Sequence, residues 1–172
     1  IAILEHWHNV VRGLSSWATT RFFFPTPNTL GYNDGYLLHG LVYSALRAAG
    51  SDPFLAGELV NAVLRVAGFA AFYAMGRRVL RWPRGWSLFG ALLFTLSNNL
   101  FLHAHHTQLF AVCFVPVMVL LLHEALAAFR HVQRTRFTLW ALAAAAFFAA
   151  WLMTAFYMAW YFAFFTLVTA TI

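Results

Sequence analysis

Apolar residues fill this chain in long blocks, and its polar residues fall between them in short groups. Residues 1–34 are too interrupted to cross a bilayer: Glu5, His6, His8, Arg12 and Arg21 break them up, and FFFPTPNTLGYND is rich in turn formers. Positions 5–20 suit a short amphipathic helix, with Trp7 and Trp17 at a membrane interface. Pro25, Pro27, Asn28, Gly31 and Asn33 then mark an irregular loop. GYLLHGLVYSALRAAG, 35–50, is apolar but shorter than the roughly 20 residues a crossing needs, so it predicts an interfacial or partly embedded helix that stops at Gly50. Ser51 or Asp52 caps the next helix, with Pro53 in its first turn. That helix, 53–76, is long enough to span and ends at RRVLRWPR. An apolar run at 86–102 passes through Asn98 and Asn99 into LFLHAHHTQLF. A helix at 107–128, kinked at Pro116, ends at FRHVQRTR. Residues 137–172 are apolar throughout, with room for one span and the start of another, and a break at 154–157.

These elements predict an all-α, polytopic helical membrane protein with about 4–5 transmembrane segments and an extracytoplasmic loop carrying short interfacial helices. The division is an extracytoplasmic, interfacial region at 1–52 and a transmembrane helical domain at 53–172. The opening at Ile1 and the close in apolar sequence give the expectation of a fragment of a longer protein.

Composition sharpens this. The chain is 62% hydrophobic and only 9% charged, with a mean hydropathy of +0.70, far from the roughly 25% charged residues of soluble domains. Its net charge is +6, and all 11 basic residues are arginine. They are not gathered on one polar surface, so nucleic acid is excluded as a partner. They mark helix ends instead. The loops at 77–85 and 129–136 are basic and are expected in the cytoplasm, whereas 99–107 has no Arg or Lys and is expected outside. A multi-pass protein of the bacterial inner membrane, in contact with the bilayer, follows as the expected location. Three outer segments then meet: the loop around Asp34, the histidine stretch, and the break near Tyr157. The single cysteine, Cys113, lies in an apolar run and reads as a small buried hydrophobe.

Four groups carry candidate chemistry. His103, His105 and His106 fall within four positions, with Gln108 beyond, and His103 and His106 share a helical face. Imidazoles at that spacing can hold a phosphate oxygen or a divalent metal ion, with His103 and His106 as metal ligands. The plain alternative is a polar helix end facing headgroups. Asp34, in YNDG, is either a turn former or an outer-face general base. Glu58, Asn61 and Arg65 share one face of a span, where ionisable groups either line a wet cavity or join helices. His123 and Glu124, near the end of their helix, read as packing or interfacial residues. The aromatic run FYMAWYFAFF reads as a lipid-facing surface, from which Tyr157 can reach a ligand.

The order of these features matters more than any one of them. FFFPTPNTLGYNDG comes first, then a short apolar segment, SDPFLAGELVN opening a span, an arginine-rich turn, LHAHHTQL, FAVCFVPVMVLLLHEAL, a basic turn and FYMAWYF. This order resembles the amino-terminal half of bacterial polytopic proteins of the GT-C glycosyltransferase superfamily. The resemblance implies an outer-face active site that transfers a sugar from a polyprenyl-phosphate donor to a lipid, glycan or protein acceptor. It implies an acidic catalytic residue in the first outer loop. Asp34 matches that position, with Glu5 as the alternative. It places His103, His105 and His106 near the carrier phosphate, and leaves Glu58, Arg65 and Tyr157 as further substrate contacts. The chain departs from the pattern in having no DxD or ExD pair and too few spans for a whole enzyme.

The rival expectation is a non-catalytic transmembrane scaffold subunit of a larger respiratory or photosynthetic assembly, packed against other membrane subunits. His39, His103 and His106 would then be candidate ligands of a haem or chlorin metal. A transporter with Glu58 and Arg65 along its path would need inverted repeats, and the sequence has none.

Overall fold

Every regular element is a helix in the computed structural model, which describes residues 1–101 and 106–171. Helix α1 (Ala2–Val11) lies on α2 (Leu37–Ala48), joined by an irregular loop with short 3-10 turns at Arg21–Phe23 and Leu30–Tyr32. Helix α3 (Pro53–Arg78) starts as its sequence dictates. The Asp52 carboxylate accepts the N–H groups of Phe54 and Leu55 at 2.9 and 3.1 Å, and Pro53 needs no acceptor. Arg77 and Arg78 end it, favourably placed against the negative end of the helix dipole.

The run expected as a span at 86–102 divides. Helix α4 (Arg84–Thr95) is followed by a turn at Leu96–Ser97 and by the short α5 (Asn98–Phe101). Twelve residues rise about 18 Å, well short of the roughly 30 Å hydrocarbon layer. Ser and Asn are weak formers of helix interiors, and α5 starts afresh with the Ser97 backbone carbonyl accepting the N–H groups of Leu100 and Phe101 at 3.1 and 2.9 Å.

Helix α6 (Thr107–Phe110) continues through a 3-10 turn at Ala111–Phe114 into α7 (Val115–Arg130). The tightening falls just before Pro116, which has no N–H to give to an α-helical bond. Helix α8 (Arg134–Leu152) returns antiparallel to α7, and Met153–Ala155 separate it from α9 (Phe156–Thr171).

Among the described residues, three stretches are long and apolar enough to cross a membrane: Pro53–Arg78, Gln108–Arg130 and Arg134–Leu152. Only 11% of the most apolar window of the last is buried, and no charged residue follows Arg136. A helix apolar on all sides and largely uncovered is built for lipid. The chain is a helical membrane protein.

The core joins Tyr43 of α2, Val60 and Leu64 of α3, Phe110 and Phe114, and Trp151 of α8. Cys113 is buried there, as its apolar surroundings require. Trp7 is not interfacial: it is buried, and its indole N–H donates to the Gly35 carbonyl at 2.5 Å. Trp17 is 59% exposed.

The arginine-bearing ends gather on one side. Glu124 of α7 pairs with Arg78 of α3 at 3.6 Å and with Arg136 of α8 at 3.5 Å. The Asp34 loop lies at the opposite end of α7 and α8.

Candidate functional site

At the end opposite the Arg78–Glu124–Arg136 cluster, two helices start without an acceptor of their own. Helix α2 has Tyr36 at its N-cap, with φ 57° and no side-chain cap. Helix α9 begins after Ala155, which has no side-chain acceptor. Each borrows from the other's approach. The Leu38 N–H of α2 donates to Thr154 Oγ1 at 2.9 Å, and the Phe156 N–H of α9 donates to Asp34 Oδ1 at 3.0 Å. The Tyr36 N–H adds a bond to the Thr154 carbonyl at 3.2 Å. Unpaired first-turn N–H groups need such partners, and here the chain supplies them across 116 and 122 positions.

Gly35 makes this possible. A Cβ at that position would run into the Met153 carbonyl oxygen, so only glycine lets the two strands of backbone close. Asp34 Oδ2 accepts from the Gln108 amide of α6, and the Asp34 N–H donates to Asn33 Oδ1 at 2.9 Å. Asp34 is 8% exposed and has no ion-pair partner among the described residues. Its charge is met by dipoles: an amide and the positive end of α9.

A cavity of about 770 Å³ opens beside this junction. Asp34, Gln108, Asn28 and Asn33 supply its polar lining, and Trp17, Tyr32, Phe156 and Tyr157 its aromatic faces. The three segments expected to meet therefore do meet, through Asp34, Gln108 and Tyr157. Each Asp34 oxygen accepts one bond and retains a further lone pair, so the carboxylate can hold a substrate hydroxyl without leaving its partners.

The remaining candidates lie elsewhere. His103 and His105 fall outside the described residues, and His106 is exposed and not among the cavity-lining residues. Glu58 is exposed on α3 and does not reach the cavity. Arg65 lies deeper on the same helix. Its Nη2 donates to the Leu100 carbonyl at 2.7 Å, and its guanidinium lies about 6 Å from the rings of Phe101 and Phe110. Arg65 thus ties α3 to a carbonyl of α5. Among the described residues, no three His, Cys, Asp or Glu side chains come together as a metal site.

Two further titratable groups lie on α1 and α2. Glu5 of α1 accepts from Tyr43 at 2.6 Å and from Arg47 Nε at 3.3 Å. Burial raises its pKa, but the bonds from Tyr43 and Arg47 and the charges of Arg47 and His8 outweigh that and hold it below the ordinary 4.5. His39 of α2 is 2% exposed, and neither ring nitrogen has a hydrogen-bond partner. The rings of Tyr36, Phe110 and Phe114 surround it at 6.4, 6.0 and 5.8 Å. Burial depresses its pKa to about 4. Three aromatic rings thus enclose the imidazole. The reciprocal capping also had a signal in the sequence: Asp34 and Thr154 are cap-type residues, each placed just before a helix start it does not itself cap.

No protein-family model, curated protein or solved structure matches the chain.

Proposed function

We propose that the chain is part of a GT-C-type glycosyltransferase of the bacterial inner membrane, which takes a sugar from a polyprenyl-phosphate donor at the extracytoplasmic face. The observation that carries this reading is the cavity in which Asp34, Gln108 and Tyr157 converge, at the end of the bundle opposite the Arg78–Glu124–Arg136 cluster. One carboxylate, three amides and four aromatic rings suit a sugar: amides and carboxylate for its hydroxyls, ring faces for its C–H surface. Asp34 is the general base, taking the proton of the acceptor hydroxyl as its oxygen attacks the anomeric carbon and the polyprenyl phosphate leaves. Its bonds to the Phe156 N–H and to Gln108 hold it in position. His103, His105 and His106 precede Gln108 in the chain and are proposed as contacts of the donor phosphate, with a divalent metal ion held by His103 and His106 as the alternative partner for the same charge.

The test uses the full chain in nanodiscs with a panel of radiolabelled polyprenyl-phosphate sugars. Donor consumption is expected, and Asp34→Asn should lower it at least about 100-fold while donor binding persists. Asparagine keeps an acceptor for the Phe156 N–H, so the fold survives. Turnover that is unchanged in Asp34→Asn sinks the reading.

A non-catalytic transmembrane subunit is favoured instead by the same carboxylate's work as the cap of α9. That reading expects a wild-type chain inert with every donor, and an Asp34→Asn effect confined to stability.

A further inference from the structure

The arginine end carries a second feature that the cavity at Asp34 does not use. Trp82, Trp86, Phe89, Gly90 and Leu93 line a groove of about 480 Å³ on the outer side of α4. Positions 86, 89, 90 and 93 follow helical spacing, so the groove runs along one stripe of α4 for about 10 Å. Gly90 sets its shape. A Cβ there would come within 2.9 Å of the Trp82 ring, so the missing side chain is what lets that indole lie against the helix. Trp86 and Phe89 are 64% and 52% exposed, and their rings meet edge-to-face at 6.0 Å.

The turn that carries Trp82 into the groove is positively charged. RRVLRWPR holds four arginines and no acid. Two are committed: Arg77 donates to the Trp82 carbonyl at 2.6 Å, and Arg78 pairs with Glu124. Arg81 and Arg84 flank Trp82, are exposed, and have no hydrogen-bond or ion-pair partner among the described residues. Arg81 sits at φ 56°, just past the end of α3, where the Trp82 N–H closes back on the Gly76 carbonyl at 2.8 Å. Glycine is the usual residue in that left-handed position. Arginine accepts backbone strain there, which puts a cation next in the chain to a residue that lines the groove.

We propose that this is a seat for an anionic phospholipid of the bilayer. Its phosphate binds Arg81 and Arg84, and the upper part of one acyl chain lies in the groove over Gly90. Charge complementarity selects the occupant: an apolar groove lined by Trp82, with two unpaired cations in the turn that carries that residue, matches an anionic headgroup joined to a hydrocarbon chain. The site stands apart from the transferase reading, and it holds whether or not Asp34 is catalytic.

The test is quenching of tryptophan fluorescence in the full chain by phospholipids brominated on the acyl chain, in mixed vesicles of phosphatidylglycerol and phosphatidylcholine. Selective quenching by the brominated phosphatidylglycerol is expected, and Trp86→Phe should remove much of it. Arg81→Gly and Arg84→Gln should each lower the relative affinity roughly fivefold. Because glycine suits the conformation at 81, Arg81→Gly should unfold no earlier than the wild type, which separates lost binding from lost fold. The pair Arg130→Gln and Arg134→Gln removes the same charge from the same end and should leave the selectivity intact. The proposal is overturned if the wild type shows no selectivity, if selectivity survives loss of Arg81 and Arg84, or if the control pair lowers it equally.

Discussion

Each end of the bundle is tied by one carboxylate that links three segments, yet the two ties are physically unlike. At one end Asp34, 8% exposed, binds an amide of α6 and the first N–H of α9. At the other, Glu124 bridges Arg78 and Arg136, whose side chains are 68% and 59% exposed. Water can replace what Glu124 provides, because exposed ion pairs contribute little and are screened by salt. It cannot easily replace Asp34, because a buried N–H left unpaired bears its whole desolvation penalty. The arginine end is held loosely and faces headgroups. The Asp34 end is locked, and a cavity forms beside the lock.

Substitutions at the two ends put this contrast to the test. Asp34→Ala should have the largest effect, destabilising by about 3 kcal/mol, since the Phe156 N–H and the Gln108 amide both lose their acceptor. Chemical unfolding in mild detergent measures it. Gly35→Ala should follow at about 2 kcal/mol, because the Met153 carbonyl that a Cβ would strike is backbone and cannot swing away. His39→Leu should act in the opposite direction, stabilising by about 1 kcal/mol at neutral pH by removing two unpartnered ring nitrogens.

His39 also fixes a pH dependence. Its folded pKa of about 4 lies below the ordinary 6.5, so the unfolded chain binds the proton more readily. Stability should be full above pH 6.5 and fall as the pH drops toward 4, and His39→Leu should flatten that slope. A further loss is expected below pH 4.5, where Glu5, held low, finally protonates and releases Tyr43 and Arg47. Glu124→Gln should be the smallest effect, under about 1 kcal/mol and vanishing in high salt. If it matched Asp34→Ala, the contrast between the ends would fail.

Much of this architecture was legible along the chain. Asp52 and Pro53 announced α3, Pro116 announced the tightened turn before α7, and the break between α8 and α9 falls at 153–155 beside the expected 154–157. These are local effects, set by neighbours a few positions away. The shortness of α4 was less legible, because an apolar run does not reveal where Ser97 will end a helix. Trp7 was misplaced for a related reason: an indole suits an interface and a core equally well, and its partner, the Gly35 carbonyl, is 28 positions away.

The sequence by itself determined that this is a helical membrane protein, which residues begin and end its main spans, and that the arginines of 77–84 and 130–136 mark the ends of those helices. Hydrophobicity and capping act over one or two turns, so a linear reading reaches them. Only the tertiary structure decided what Asp34 does, because its partners, Gln108 and the Phe156 N–H, lie 74 and 122 positions away. Only it decided that Arg65 ties α3 to a carbonyl of α5 instead of lining the cavity, and that His39 is sealed among aromatic rings. A polar group's role depends on which donors, acceptors and dielectric the fold brings to it, and those are set by packing between distant segments.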